Sequence, residues 1–306
     1  MSLDLATLAE LVRAPAALTV PGDVSAGGAV RPGLALSSVC LYWAGMALND
    51  YADRDLDAVE RPERPIPSGR VRPGQALGLA AGLTAAGLVA AARTGGRGAL
   101  GVAAGLAAVV WAYDLGLKDT AAGPLAMAAA RGLDVVLGGT SGASPGQGKA
   151  RMLAAGAVAA HTYGVTALSR GEVGGGSKAR SATALTATAV AAGLAAAHVS
   201  SVTSGPAADG GPAVPRGRAG GAPVAIRRLA GFGLTAAYAG LVGRAQLDAA
   251  RHPDAGRTRA AVGQSILGLL PLQAALTAGR GRLATAVALT AAHPLARKLS
   301  RKVSPT

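Results

Sequence analysis

Charge and aromatic rings are scarce in this sequence. Only 15% of its 306 residues are charged and 3% are aromatic, with a single phenylalanine. Soluble chains carry about 25% charged residues, so the charge present is too little to cover a soluble fold of this length. One cysteine, Cys40, excludes an internal disulfide. The shortage of aromatics removes the usual stacking platform for bases, and the basic residues form no stripe. The formal charge of +14 therefore does not read as a nucleic-acid surface. No Walker A sequence, G-x-S-x-G, H-E-x-x-H or C-x-x-C occurs, so the chemistries those motifs carry have no signature here. The start, "MSLDLATLAELVR", reaches Asp4 and Glu10 before its first base at Arg13, unlike a secretory leader, and no cleaved segment is expected.

What is present is small and apolar. Half of the residues are hydrophobic and 45 are glycine, with a mean hydropathy of +0.36. Glycine and alanine let helix backbones approach closely in a membrane. Apolar stretches near the length a bilayer requires recur at 14–30, 33–50, 74–92, 98–117, 121–142, 152–169, 181–203, 224–245, 259–279 and 283–297. The first is broken by Pro21, Gly22 and Asp23, and the last ends at Pro294. The expectation is an all-α, polytopic membrane bundle of nine or ten helices around a central cavity, one domain spanning 1–306. The Gly/Pro-rich stretch 204–223 is expected to be a flexible extramembrane loop. Ten crossings place eighteen basic residues on the side of the N-terminus and eleven on the other, with Arg131 inside a span. The richer side is then cytoplasmic, whereas nine crossings nearly erase the bias.

Against this background, five acidic residues crowd between Asp50 and Glu60 in "NDYADRDLDAVERPERPIPSG". On a continuous helix Asp50, Asp53 and Asp57 share a face, and Asn49 joins through its i,i+4 relation to Asp53. Such hard oxygen donors suit Mg²⁺, which keeps waters and is completed by phosphate oxygens. Pro62, Pro65 and Pro67 then end the helix, leaving Arg61, Arg64 and Arg70 as phosphate donors. Taken alone, an acidic solvated loop neutralised by Arg54, Arg61 and Arg64 explains the run equally well.

The whole stretch resembles the first aspartate-rich motif, with its trailing R-x-x-R-P-[IL]-P-S-G, of the UbiA family of intramembrane prenyltransferases. "YDLGLKDTAAGP" is similar to that family's loop after the fourth helix. The resemblance implies Mg²⁺-dependent transfer of a prenyl group from a prenyl diphosphate to a lipophilic acceptor, in a cell membrane, with the Asp-rich loops cytoplasmic. It implies Asp50, Asp53, Asp57 and Lys118 as catalytic, and Asn49, Arg61, Arg64, Lys118 and Arg170 as diphosphate contacts. Metal ligands would be Asn49, Asp50, Asp53, Asp57 and Glu172. Tyr113, Arg131, Asp134 and Asp23 are candidates for the cavity wall. Arg131 and Asp134, at i,i+3 within a span, form either a structural pair or a substrate contact. Asp23 lines the cavity or caps a helix.

The chain departs from the family pattern after the sixth span. No D-x-x-x-D occurs in "HTYGVTALSRGEVGGGSKARS", where Glu172 is the one acid. "LVRAPAALTVPGDV", "ARGLDVVLGG" and "TALSRGEV" together look like the EboC-like branch of UbiA-related proteins. Two further function classes follow: a non-catalytic membrane binder or carrier of prenyl-phosphate lipids, and a secondary transporter. The R-P-I-P-S-G tail argues against the transporter, whose ion path does not require it.

Overall fold

The computed structural model describes residues 4–14, 19–28, 31–140, 147–171, 176–204 and 222–303, with side chains described as far as Pro294. Among the described residues the regular structure is entirely helical. The chain forms two compact units, Met1–Gly142 and Ala143–Thr306.

The first unit holds α1 (Leu5–Leu11), α2 (Val20–Gly27), α3 (Pro32–Ala52), α4 (Arg54–Glu60), α5 (Pro73–Ala112) and α6 (Gly123–Gly138). A π-helical turn, Tyr113–Leu117, joins α5 towards α6. Proline opens α3 and α5, where its missing N–H leaves nothing unsatisfied. Asp4 caps α1 by accepting from the Thr7 amide at 2.6 Å, and this bond holds the Asp4 carboxyl below its ordinary range.

The long run of α5 is two antiparallel arms. At Gly96 the backbone turns to φ 66° and ψ −156°, which is not helical. Trp111 Nε1 donates to Thr84 Oγ1 at 3.1 Å, although a straight helix would hold residues that far apart about 40 Å from each other. The expected spans 74–92 and 98–117 are therefore these two arms. Of the most apolar window of Pro73–Leu117 only 22% is buried, so an apolar face points outward, as lipid requires. α3 packs along α5, and α2 packs on α6. At the α2–α6 crossing a Cβ on Gly138 would lie 2.0 Å from the Val24 carbonyl oxygen, so only glycine allows that approach.

The second unit comprises α7 (Gln147–Ser169), α8 (Lys178–Thr203), α9 (Val224–Arg251), α10 (Ala255–Gly279) and α11 (Leu283–Val303). Its centre is α10, buried almost without interruption from Gly268 to Gly279. Hydrogen bonds cross between its helices: His161 to Tyr238 at 2.9 Å, Thr188 to Gln246 at 2.9 Å, and Gln246 to Ser265 at 3.1 Å. His198 places its two ring nitrogens on the carbonyls of Ala150 and Leu276. These bonds supply the association that hydrophobicity alone does not supply in lipid.

Among the described residues three helical stretches are long and apolar enough to cross a membrane: Pro73–Leu117, Lys178–Thr203 and Ala255–Gly279. Two expectations about the ends need correction. Among the described residues of the stretch 14–30 the α-helix is the eight residues of α2, about 12 Å long and by itself too short to span. The final helix continues through Pro294 to Val303 instead of stopping there. Of the stretch 204–223, residues 205–221 lie outside the described residues.

Because Gly96 adopts a backbone region that only glycine enters readily, Gly96→Ala should lower unfolding stability in detergent by about 1–3 kcal/mol. Gly98→Ala, helical and with no neighbour within 4 Å, should be neutral or slightly stabilising. Equal effects in thermal denaturation would contradict the bend.

Candidate functional site

The first unit gathers its acids and bases at the C-terminal end of α3. The helix breaks at Asp53 (φ −88°, ψ 1°), which closes α3 and begins α4. Asp50, Asp53 and Asp57 therefore do not share one continuous helix face, contrary to the spacing argument. Asp50 and Asp57 are 4% and 2% exposed, and a buried carboxylate needs a paired cation. Arg64 supplies it to both, with Nη1 at 3.2 Å from Asp50 Oδ1 and 2.8 Å from Asp57 Oδ2. Arg61 stands 3.6 Å from Asp57, while Asp53 pairs with Lys118. Arg54 turns away to the exposed Asp55.

Asn49 is the hub. Its Nδ2 donates to Asp53 at 3.1 Å and to Asp114 at 3.4 Å, while its Oδ1 accepts from Arg13 at 3.2 Å. Arg13 also reaches Asp50 Oδ1 at 2.8 Å. It does so from a left-handed backbone conformation, φ 47°, which is uncommon for a residue with a side chain. The proline-rich segment fixes Arg64 from behind: the Ser68 amide and hydroxyl both donate to the Arg64 carbonyl. Arg70 anchors the same segment by donating to Glu10 and the Glu63 carbonyl, and the Glu10 carboxylate raises the Arg70 guanidinium's pKa. The segments that follow α3 and the second arm of α5 thus meet at Asn49. Arg13 and Asp114 were missed. Arg13 is separated from its partners by more than thirty residues, while Asp114 sits inside the quoted "YDLGLKD" on a π-helical turn, a feature often found at functional sites.

A cavity of about 250 Å³ adjoins this cluster. Arg13, Asn49, Tyr113 and Asp114 line one part of it, and Ser38, Tyr42, Arg131 and Asp134 line another. Leu41, Met46, Leu106 and Val110 form apolar wall between. Arg131 and Asp134 are not each other's ion pair: Arg131 lies 2.9 Å from Asp23, while Ser38 donates to Asp134 at 2.7 Å. Asp23 is buried within α2, so it is not an interfacial cap. Its ion pair with Arg131 links it to the cavity wall. Arg170 follows α7 in the second unit, where its carbonyl accepts from Arg180 at 2.9 Å. Glu172 lies outside the described residues.

Among the described residues no three carboxylate, histidine or cysteine groups are gathered as a ready metal cage. The expected convergence of Asp50, Asp53 and Asp57 with Asn49 is replaced by ion pairs, because adjacent carboxylates repel and each finds a cation. The donor chemistry still fits Mg²⁺, since Asp50, Asp53 and Asp114 all flank Asn49 and offer hard oxygens.

Residues 14–169 match the UbiA prenyltransferase family. The chain is 42% identical over 106 residues to a digeranylgeranylglyceryl phosphate synthase of Methanopyrus kandleri, covering 33% of this chain and 38% of that protein. It thus spans less than two-fifths of that curated relative's length. The fold resembles the apo structure of a UbiA homolog from Aeropyrum pernix K1, with a TM-score of 0.61 at 18% identity, covering 86% and 96% of the two chains. It also resembles a UbiA homolog from Archaeoglobus fulgidus bound to GPP and Mg²⁺, with a TM-score of 0.55 at 14% identity, covering 86% and 99%. These matches do not separate the EboC-like branch from the rest.

Arg64→Met tests the fit for a cation. Losing Arg64 leaves Asp50 to Arg13 and Asp57 to its longer contact with Arg61, which should destabilise the protein by about 2 kcal/mol without divalent metal, less than the roughly 3–5 kcal/mol of a wholly unpaired buried charge. Millimolar Mg²⁺ should recover most of that loss and raise the variant's unfolding midpoint more than the parent's. A midpoint unmoved by Mg²⁺ would contradict an oxygen site there.

Proposed function

Because the chain belongs to the UbiA prenyltransferase family, we propose that it transfers a prenyl group from a prenyl diphosphate to a lipophilic acceptor within a membrane. The observation that carries this reading is the cluster around Asn49, where four acids and four bases meet beside an apolar cavity. A site that only neutralised itself would not need that adjoining space.

In this reading Asn49, Asp50, Asp53, Asp57 and Asp114 are the groups available to hold Mg²⁺. When bound, Mg²⁺ supplies charge neutralisation of the diphosphate oxygens. Arg13, Arg61, Arg64 and Lys118 then exchange their carboxylate partners for phosphate oxygens. Guanidinium groups suit this role because their forked donors match phosphate. As the allylic C–O bond ionises, these cations stabilise the negative charge growing on the leaving group. Leu41, Met46, Leu106 and Val110 keep water from the allylic cation until the acceptor's nucleophile traps it. The roles implied for Arg170 and Glu172 rest on the resemblance alone. We read the face bearing the acidic stretch as cytoplasmic from the basic-residue bias. The missing D-x-x-x-D favours a second reading, a binder or carrier of prenyl-phosphate lipids that performs no transfer.

The protein reconstituted in nanodiscs with geranyl diphosphate, Mg²⁺ and a panel of lipophilic acceptors separates the two readings. Transfer predicts pyrophosphate release and a prenylated product by mass spectrometry. Asp50→Asn and Asp53→Asn should each lower the rate by at least about a hundredfold. Undiminished turnover in the double variant would overturn the site assignment. Mg²⁺-dependent binding with no product across the panel would favour the carrier.

A further inference from the structure

Asp134 is only 5% exposed. Its Oδ2 accepts from Ser38, but its Oδ1 has no hydrogen-bond partner. Next to it, Asp23 and Arg131 stand 2.9 Å apart, so the one guanidinium nearby is paired with Asp23 and leaves Asp134 without an ion pair of its own. Tethering explains part of this arrangement, since Ser38–Asp134 joins α3 to α6 and Asp23–Arg131 joins α2 to α6. It does not explain the unpaired Oδ1, nor why Ser38, Arg131 and Asp134 all line the cavity.

Position decides what this carboxylate can meet. Ser38 precedes Asn49 by eleven residues on α3, an axial separation of about 16 Å. Asp134 is therefore remote from the Asn49 cluster and cannot serve a reaction at the carbon next to a diphosphate held there. It faces the other end of whatever occupies the cavity. A hydrocarbon end would leave Oδ1 buried and unpaired, which is unfavourable. An anion would meet the surplus of carboxylate over guanidinium. A hydrogen-bond donor satisfies both constraints.

We propose that Asp134, with Ser38 and Arg131 beside it, recognises a hydroxyl or amine at the remote end of the lipophilic molecule held in this cavity. The inference rests on the reading that the cavity receives a transferase's lipophilic substrates. It specifies one of them as carrying a polar donor where a plain prenyl chain would carry none.

Native mass spectrometry of the full chain released from detergent can compare bound farnesol with its methyl ether, which lacks the donor and is one carbon larger. The hydroxyl probe should be held about tenfold more tightly, the usual consequence of leaving a buried acceptor unpaired. Asp134→Ala should abolish the preference, and Asp134→Leu does the same should the smaller residue fail to fold. Asp134→Asn, which keeps an amide oxygen as acceptor, should retain it. Equal binding of both probes by the parent protein, or a preference that survives Asp134→Ala or Asp134→Leu, would overturn the proposal. Mg²⁺-dependent binding of geranyl diphosphate, measured on the same preparations, separates the two readings. If it persists without any hydroxyl preference, only this inference fails; if it is absent while the preference depends on Asp134, only the transferase reading fails.

Discussion

Neutralising buried carboxylates in a poorly polar bundle governs the first unit. Asp50, Asp57 and Asp114 are each no more than 6% exposed, and an isolated charge at such positions is too unfavourable to persist. Each feature around them answers that demand. The helix breaks at Asp53 so that its carboxylate can turn to Lys118. Arg13 accepts a left-handed backbone to reach Asp50 and Asn49. The proline-rich segment folds back on the Arg64 carbonyl and delivers one guanidinium to two acids. These cations are the groups a diphosphate would engage, so the resting ion pairs and the proposed ligand contacts draw on the same residues.

Helix placement was largely legible from apolar length, because lipid demands an unbroken hydrogen-bonded helix of fixed extent. Both arms of α5 were readable as separate spans, although the glycine that reverses them was not singled out. The ends were less readable. The stretch 14–30 is apolar enough to suggest a crossing, but its described α-helix starts at Val20, with Pro21 in the first turn, and gives way at Gly28. At the site, Asn49, Asp53, Arg64 and Lys118 were legible from motif and spacing. Arg13 was not, because spacing arguments connect only neighbours in sequence and its partners lie more than thirty residues away. The i,i+3 relation of Arg131 and Asp134 suggested a pair, yet Asp23 on α2 and Ser38 on α3 took them separately. Tertiary packing outcompeted proximity along one helix.

In the second unit the described acid–base pairs, Arg257 with Asp248 and Asp254, are exposed, and neutral groups do the joining inside. His161, Thr188, Gln246 and Ser265 join its helices through neutral hydrogen bonds around the buried α10. Arg227 closes one end by donating to the carbonyls of Val202 and Gly279, which terminate α8 and α10. Polar groups thus hold helices together in one unit, and in the other they also border an apolar cavity.

On the proposed function, the acids and bases around Asn49 part from one another when metal and diphosphate bind. A double-mutant cycle between Asp53 and Lys118, read from unfolding stability, measures this directly. Without ligand the cycle should return a coupling of about 1 kcal/mol or more. With Mg²⁺ and geranyl diphosphate present it should fall towards zero, as Lys118 turns to phosphate and Asp53 to metal. A coupling that stays the same while ligand is bound would contradict the account.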